Sequence, residues 1–157
     1  MKHRAILGLG ISCLLAACAH QGEAGLPSMA WSLNHSDGEG TKLAYGQPQS
    51  DNVMIMMTCQ PRSGQVLVSM TAPMDAAPAA IQIVSRNKSS RLAGDASASM
   101  GEGVAYVEAT APVNDPALAS FDRTGDFAVV ENGRRAPLPV RNPERQVVSD
   151  FFASCRA

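Results

Sequence analysis

The 157-residue sequence has few of the residues on which many binding and catalytic sites depend. Only 4% of its residues are aromatic, so platforms for stacking sugars or nucleic-acid bases would be poorly supplied. The sequence lacks Gly-x-Ser-x-Gly, His-Glu-x-x-His and a glycine-rich phosphate loop. Those motifs mark common hydrolases, zinc peptidases and nucleotide-binding sites. We therefore expect neither enzymatic activity nor a bound cofactor.

No segment contains the roughly 20 consecutive apolar residues that a membrane-spanning helix needs. The longest apolar stretch covers residues 5–17 and follows the basic residues Lys2, His3 and Arg4. A short basic start before an uncharged run of this length is typical of a secretory signal peptide. We predict that residues 1–17 are such a signal and are removed.

The apolar run ends in Leu15-Ala16-Ala17-Cys18, which resembles the lipobox of bacterial lipoproteins. The resemblance implies cleavage before Cys18 and attachment of lipid to its thiol. Two or three acyl chains, as such lipoproteins carry, would hold the protein to a membrane almost irreversibly. An ordinary cut after the small-x-small tripeptide ending at Ala19 is the alternative. Ala19 is not the aspartate that retains such lipoproteins on the inner membrane, so we expect a periplasm-facing anchor in the outer membrane.

Removal of the signal changes the balance of charge. Lys2 and Arg4 leave with it, so 11 of the 13 basic residues remain against 14 acidic ones. A net charge of about −3 disfavours nucleic acid and anionic lipid headgroups as partners.

Only two of the four cysteines remain available for a disulfide. Cys13 lies in the signal and Cys18 carries the lipid, which leaves Cys59 and Cys155. An even pair in an oxidising compartment predicts a structural bridge. A redox or metal-binding dithiol is the alternative, but such sites usually have Cys-x-x-Cys spacing, which is absent here.

After a polar tether over residues 18–28, the pattern predicts one β-rich periplasmic domain over residues 29–157. Short segments with alternating or β-branched residues recur every 8–12 positions between turn signals, as in small antiparallel sandwiches and barrels. The predicted strands are residues 29–34, 41–45, 52–60, 65–71, 80–85, 104–110, 127–130 and 136–140. Asn132-Gly133 is a strong signal for a two-residue hairpin. The expected fold class is therefore mainly β, either sandwich or barrel.

Two helices are predicted near residues 115–121 and 143–155. Each begins with an Asx residue followed by proline, Asp115-Pro116 and Asn142-Pro143, a pattern typical of a capped helix start. In the second helix Val147, Phe151 and Cys155 share one face with Val148 and Phe152 beside them.

Each of the two cysteines lies at the end of an apolar face, Cys155 on the C-terminal helix and Cys59 on one predicted strand. In strand 52–60, Val53, Ile55, Met57 and Cys59 share one side. Since each cysteine ends an apolar face, a Cys59–Cys155 bridge would attach the last helix to the sheet.

The polar residues give weak signals for chemistry. His20 and His35 have no cluster of further ligands at metal spacing, so we predict no metal site. Residues 85–88 match Ser-x-x-Lys, but they lie at a strand end and turn rather than at the start of a helix. Asp122 and Asp126 surround a turn, where carboxylates are usually solvated.

Methionines supply one alternative function. Met54, Met56 and Met57 lie on one strand, with Met70 on the expected neighbour. Thioethers bind Cu(I), so copper handling is a hypothesis, whereas methionine also fills irregular cores.

A second alternative comes from Thr58-Cys59-Gln60, Ser97-Ala98-Ser99, Ala105-Tyr106 and residues 121–130, about half of the mature chain. This part of the sequence resembles the membrane-bound inhibitors of c-type lysozyme. That family consists of small lipid-anchored β-barrels that block the lysozyme cleft with a serine loop and a lysine. Here Met100 separates Ser99 from Gly101, and Thr124, beside Arg123, occupies the lysine position.

Taken together, these features predict a lipid-anchored envelope protein whose domain binds a protein partner or assists envelope assembly. Lysozyme inhibition and copper handling remain the alternatives.

Overall fold

The computed structural model describes residues 28–99, 101 and 103–156 of the chain. These residues form ten strands, two α-helices and one 3-10 helix (Met74–Ala76). The strands are β1 (Ala30–Ser36), β2 (Gly40–Gly46), β3 (Val53–Cys59), β4 (Gln65–Pro73), β5 (Ala80–Ser85), β6 (Lys88–Ala93), β7 (Asp95–Ala98), β8 (Val104–Pro112), β9 (Ala128–Glu131) and β10 (Arg134–Pro137). The helices are α1 (Pro116–Thr124) and α2 (Glu144–Cys155).

The strands form two antiparallel sheets, so the prediction of a mainly β fold is confirmed and the architecture is a sandwich. The six-stranded sheet has the order β1-β2-β3-β4-β8-β7, and the four-stranded sheet has the order β10-β9-β5-β6. Helix α1 packs against β5 and β6, whereas α2 packs against β1 and β2. The helices thus cover parts of both sheets and contact each other.

Alternation along the strands determines which side chains enter the core. In β8, Ala105, Val107, Ala109 and Ala111 are buried, while the intervening residues are exposed. Successive side chains of a strand point to opposite faces of its sheet. The same period places Ile55, Met57 and Cys59 of β3 in the core, as the sequence predicted.

Aromatic residues are few but concentrated at the centre of the molecule. Trp31 is 3% exposed, and its ring centroid lies 5.2 Å from that of Tyr45, 5.1 Å from Phe121 and 5.8 Å from Phe127. Its indole N–H donates to the carbonyl oxygen of Leu138 at 3.3 Å. Such aromatic pairs contribute about 0.5–1.5 kcal/mol each beyond burial. The cluster therefore joins β1, β2 and α1 to the segment around β9.

The start of α1 confirms the capping prediction. The Asp115 carboxylate accepts hydrogen bonds from the backbone N–H groups of Ala117 at 2.9 Å and Leu118 at 3.3 Å. The helix continues to Thr124, three residues beyond the predicted end, and Gly125 closes it in the left-handed conformation at φ 68°.

The predicted Asn142 cap of α2 was wrong. The helix begins at Glu144, and Pro143 precedes it without any side-chain capping bond. Instead the buried carboxylate of Glu144 accepts a hydrogen bond from the backbone N–H of Arg141 at 2.8 Å. This bond holds the residue three positions before Glu144 against the first turn of the helix, and it leaves the first N–H groups of the helix without a side-chain cap.

Two strands were missed by sequence reasoning, and one was displaced. β6 buries only Leu92, and β7 is exposed at every residue, so neither shows a clear pattern of hydrophobic alternation. β10 begins two residues earlier than predicted, since the hairpin turn consists of Asn132 and Gly133 alone. Both turn residues have positive φ, 50° and 74°, which confirms the predicted hairpin.

Candidate functional site

The structure joins Cys59 to Cys155, the pairing that the sequence predicted. Their Cα atoms lie 5.7 Å apart, and both residues are buried. The bridge connects the end of β3 to the end of α2. The proposed lipid-bearing Cys18, together with residues 1–17 and the tether up to residue 27, lies outside the described residues.

Further bonds hold the end of α2 beside this disulfide. The backbone N–H of Arg62 donates to the Ser154 carbonyl and that of Gly64 to the Cys155 carbonyl, both at 2.9 Å. The Thr41 hydroxyl lies 2.8 Å from the Ser154 hydroxyl and 3.1 Å from Nδ1 of His35. We call this region, residues 59–64 with the end of α2, the stapled end. His35 therefore belongs to a hydrogen-bonded structural cluster.

The two parts of the proposed inhibitory site, the serine loop with Ser97 and Ser99 and the lysine position at Thr124, lie near opposite ends of β5. Ala98 pairs with Ala105, which pairs in turn with Ala72, and Ala72 lines the same cavity as Ala80 at the beginning of β5. At the other end of β5, the Thr124 hydroxyl lies 3.5 Å from that of Ser85. Six residues of strand separate these ends by about 17 Å. The structure does not bring Ser97 and Ser99 together with Thr124.

The methionines are divided between the two faces of the six-stranded sheet. Met57 is fully buried, and Met70 is 9% exposed in the core. Met54 and Met56 alternate with the core residues of β3 and are partly exposed. In register, Met56 lies between Ala44 and Ser69, neither of which is a thioether, imidazole or thiol. The four methionines do not converge on one point.

The remaining polar candidates make structural contacts. Ser85 is fully buried and donates to the Ser120 hydroxyl at 2.9 Å, while Lys88 is its cross-strand partner. Asp122 forms an ion pair with Arg156, and Asp126 forms one with Arg135. The two carboxylates that the sequence suggested were solvated therefore connect separate segments.

A cleft opens where the pairing between β5 and β9 stops. These antiparallel strands share only two register pairs, Ile83 with Val129 and Val84 with Ala128. Beyond them, residues 80–82 and residues 130–132 line a cavity of about 300 Å³. Residues 70–73 of β4, in the facing sheet, line it as well. We call this cavity the β5–β9 cleft.

Eight of the twelve residues that line the β5–β9 cleft are apolar. Its polar members are one hydroxyl, two amides and one carboxylate, supplied by Thr71, Gln82, Asn132 and Glu131. The volume lies at the lower end of the roughly 300–1,000 Å³ common for ligand pockets. A pocket that combines apolar and polar groups is suited to binding a ligand.

A second depression is wider and shallower, with a volume of about 590 Å³. It includes Arg86, Thr124, Asp126, Arg135 and two residues of the segment after β10, Pro139 and Val140. The ion pair between Arg135 and Asp126 neutralises part of its charge. This surface is open and less suited to enclosing a ligand than the cleft.

Sequence reasoning missed the β5–β9 cleft because no local pattern records it. Residues 80–85 were correctly assigned to a strand, and residues 127–130 largely so. Their separation after two pairs depends on how strands more than 40 positions apart meet. The only local signal was the Asn132-Gly133 turn, which marks one edge of the cleft.

Among the described residues no helix is long and apolar enough to cross a membrane. The same part of the chain contains no group of three or more His, Cys, Asp or Glu side chains arranged to hold a metal ion. Comparison with protein-family models, curated proteins and solved structures gives no match to this chain.

Proposed function

We propose that this chain is an envelope lipoprotein, anchored through Cys18 in the outer membrane, whose β-sandwich binds a partner protein in the periplasm. The observation that carries the binding role is the β5–β9 cleft, a cavity with apolar and polar lining formed where the pairing of two neighbouring strands stops. Its lining offers surface for recognition and few groups for chemistry, so binding fits better than catalysis.

Two features support export and lipid attachment. The segment Leu15-Ala16-Ala17-Cys18 follows a basic and then an apolar stretch, as in lipoprotein precursors. The buried Cys59–Cys155 disulfide suits the oxidising compartment to which such a signal leads.

The connection to the anchor also suits binding near the membrane. β1 begins at Ala30, twelve residues after Cys18, and twelve residues can span at most about 40 Å. Ala30 pairs with Gly46 at the end of the sheet where β3 begins. That is also the end at which β4 finishes, beside the cleft. The start of β1, which follows the proposed tether in sequence, and the cleft therefore lie at the same end of the sandwich.

Lipid attachment is tested by the Cys18→Ala substitution together with the intact mass of the wild-type protein. We expect the wild type to carry diacylglycerol and acyl groups on Cys18 and to remain with membranes after a salt wash. The variant should lose labelled palmitate. A wild-type mass that corresponds to an unmodified peptide beginning at His20 would disprove the anchor.

The binding role is tested with a photo-crosslinking amino acid placed in cells at Asn132, on the edge of the cleft. A matched control places it at Asp37, which is exposed in the turn after β1, at the other end of the sheet. We expect one discrete cross-linked product from position 132 that position 37 does not give. Identical products, or none, from the two positions would contradict binding at the cleft.

A further inference from the structure

The two sheets end in four edge strands, β1 and β7 in the six-stranded sheet and β10 and β6 in the four-stranded sheet. An edge strand presents backbone N–H and C=O groups that can pair with another chain, and proteins usually block such edges with charge, proline or a short strand. Three of the four edges are blocked in this way. β6 carries Lys88 and Arg91, β10 carries two arginines and Pro137, and β7 has only four residues and begins with Asp95.

β1 lacks all three kinds of protection. With seven residues it is the longest of the four edge strands, and its sequence Ala-Trp-Ser-Leu-Asn-His-Ser contains no proline, lysine, arginine or acidic residue. Ser32 and Asn34 are exposed on the outer face of the sheet. The Arg141 guanidinium donates to the carbonyl oxygen of Met29, just before β1. Within the described part of the chain, however, the backbone of residues 30–35 has no hydrogen-bond partner other than β2, so β1 is an open edge.

The sequence of β1 is complementary to itself in the antiparallel direction. A two-fold axis through Leu33 places Ser32 opposite Asn34 of a second copy, and the same pair recurs on the other side of the axis. A hydroxyl can then hydrogen-bond an amide across the strands in both places. No like charges meet along the seven residues, because β1 carries no lysine, arginine or acidic residue. Pairing of this isologous kind closes after two copies.

The same pairing covers apolar surface on the inner side of β1. Leu33 packs against the core but is only partly buried, and across the two-fold axis it lies opposite its own copy. Helix α2 packs against both β1 and β2. Neighbouring strands are about 4.8 Å apart, so two such helices, each centred between β1 and β2, lie about 10 Å apart. Packed helices are usually about 8–10 Å apart, so the two copies of α2 do not obstruct the pairing.

The proposed anchors permit this arrangement. Antiparallel pairing places the two copies of Ala30 at opposite ends of the paired strands, about 20 Å apart. Each copy begins β1 twelve residues after Cys18, a length that can span about 40 Å. Both lipids can therefore reach one membrane, and confinement to that membrane raises the effective concentration of each copy for the other.

We propose that β1 is the docking site for a second copy of this chain. The two β1 strands pair antiparallel about Leu33 and join two six-stranded sheets into one continuous sheet. The evidence from the edges concerns the described domain alone, whereas the reach of the anchors rests on the proposed function. No residue of β1 lines the β5–β9 cleft, so the dimer leaves the cleft accessible to another partner.

The test compares two double variants that differ only in the sign of the charge at residue 32. In Ser32→Asp/Asn34→Asp, carboxylates face each other in both pairs and should raise the dimer dissociation constant about tenfold. In Ser32→Lys/Asn34→Asp, lysine faces aspartate in both pairs, so the dimer should be at least as stable as in the wild type. Asn34→Asp is common to both variants, so its effect on the cross-strand neighbour Lys42 cancels.

The dissociation constants are measured by native mass spectrometry of the mature lipoprotein in detergent over a range of concentrations. Melting temperatures show that each variant folds. Ser97→Asp adds a carboxylate to β7, the opposite edge of the same sheet, and should leave the dimer unchanged.

A photo-crosslinking amino acid at Asn34 examines the same edge in cells. We expect a product with the mass of two copies, which the matched position Ser97 on β7 does not give. A wild type that remains monomeric at every concentration, or equal dissociation constants for the two double variants, would overturn pairing between copies. A cross-link from position 34 to a different protein in place of a second copy would overturn it as well.

This proposal and the proposed function can fail separately. A monomeric protein that still gives the specific cross-link at position 132 would overturn pairing at β1 and leave partner binding at the cleft in place. A dimer with the expected response to the charge variants, but without the cross-link at position 132, would support pairing at β1 and contradict binding at the cleft.

Discussion

Removing the Cys59–Cys155 disulfide tests how the stapled end contributes to stability. The bridge joins residues 96 positions apart. For a closed loop of about 100 residues, the restriction of the unfolded chain corresponds to about 4.7 kcal/mol at 25 °C. Cys155→Ala avoids placing an unpaired hydroxyl at this buried position. Because measured losses for native bridges are usually about 2–5 kcal/mol, the melting temperature should fall by roughly 10–20 °C.

The folded structure should survive this substitution. The bonds from the backbone N–H groups of Arg62 and Gly64 to the end of α2 do not involve the sulfur atoms. Urea unfolding can be followed by fluorescence of Trp31, the single tryptophan, which is buried beside Phe121. The m-value should rise, because the unlinked unfolded chain exposes more surface.

Three variants define the result that would refute this reasoning. Cys59→Ala, Cys155→Ala and the double variant should share one unfolding midpoint, since each removes the same bridge. Ala153→Ser, exposed on the same helix, should change stability by no more than about 0.5 kcal/mol. Additive losses in the double variant, or ready alkylation of both thiols in the folded wild type, would show that the bridge does not act as described.

Three further predictions concern other parts of the molecule. Asp115→Ala should destabilise the protein by about 0.5–2 kcal/mol in urea unfolding, because the N–H groups of Ala117 and Leu118 lose their acceptor, and an unchanged midpoint would contradict the cap. Burial raises the pKa of the Tyr45 phenol above its usual value. The folded state therefore resists ionisation of this phenol. Its contribution to the free energy of unfolding is fully present below about pH 10 and is lost as the pH rises through the folded pKa. Tyr45→Phe should remove the later component of phenolate absorbance at alkaline pH, and an unchanged titration curve would contradict this assignment. Purified protein should leave c-type lysozyme active at equimolar concentration, because Thr124 supplies no cation; stoichiometric inhibition that is lost in Arg123→Ala would instead support the inhibitor hypothesis.

The fold was predictable where a local pattern carried enough information. Strand alternation placed Ile55, Met57 and Cys59 on one face of β3. The helical repeat, in which positions i and i+4 share a face, placed Phe151 and Cys155 on the buried side of α2. Since both faces had to be covered, the pairing of the cysteines followed from two local patterns and the composition of the chain. The sandwich arrangement was not predictable, because closure into a barrel depends on contacts between distant strands.

Sequence reasoning failed where tertiary context decided the structure. β7 contains only small and acidic residues, Asp95 to Ala98, and exists because β8 offers it an edge. Asn142 had the right position for a helix cap, yet it makes no capping bond to the helix. The Glu144 carboxylate instead accepts a hydrogen bond from the backbone N–H of Arg141, before the helix. The β5–β9 cleft was unpredictable for the same reason, because it depends on where the hydrogen-bonded pairing of two strands far apart in the sequence stops.

The two ends of the sandwich differ in a way that connects stability to binding. At the stapled end, the disulfide and backbone bonds fix the ends of β3 and α2. At the other end, about 20 Å away along the seven residues of β3, β4 borders the cleft and β1 begins. A cleft between separating strands lacks part of the hydrogen bonding that usually holds a sheet together, so the rest of the molecule must hold those strands in place. The aromatic cluster around Trp31 supplies part of that support, because Phe127 of the cluster immediately precedes β9. If the cleft is a binding site, as proposed, it can therefore be occupied at the end of the sandwich where β1 begins while the stapled end, about 20 Å away, remains unchanged.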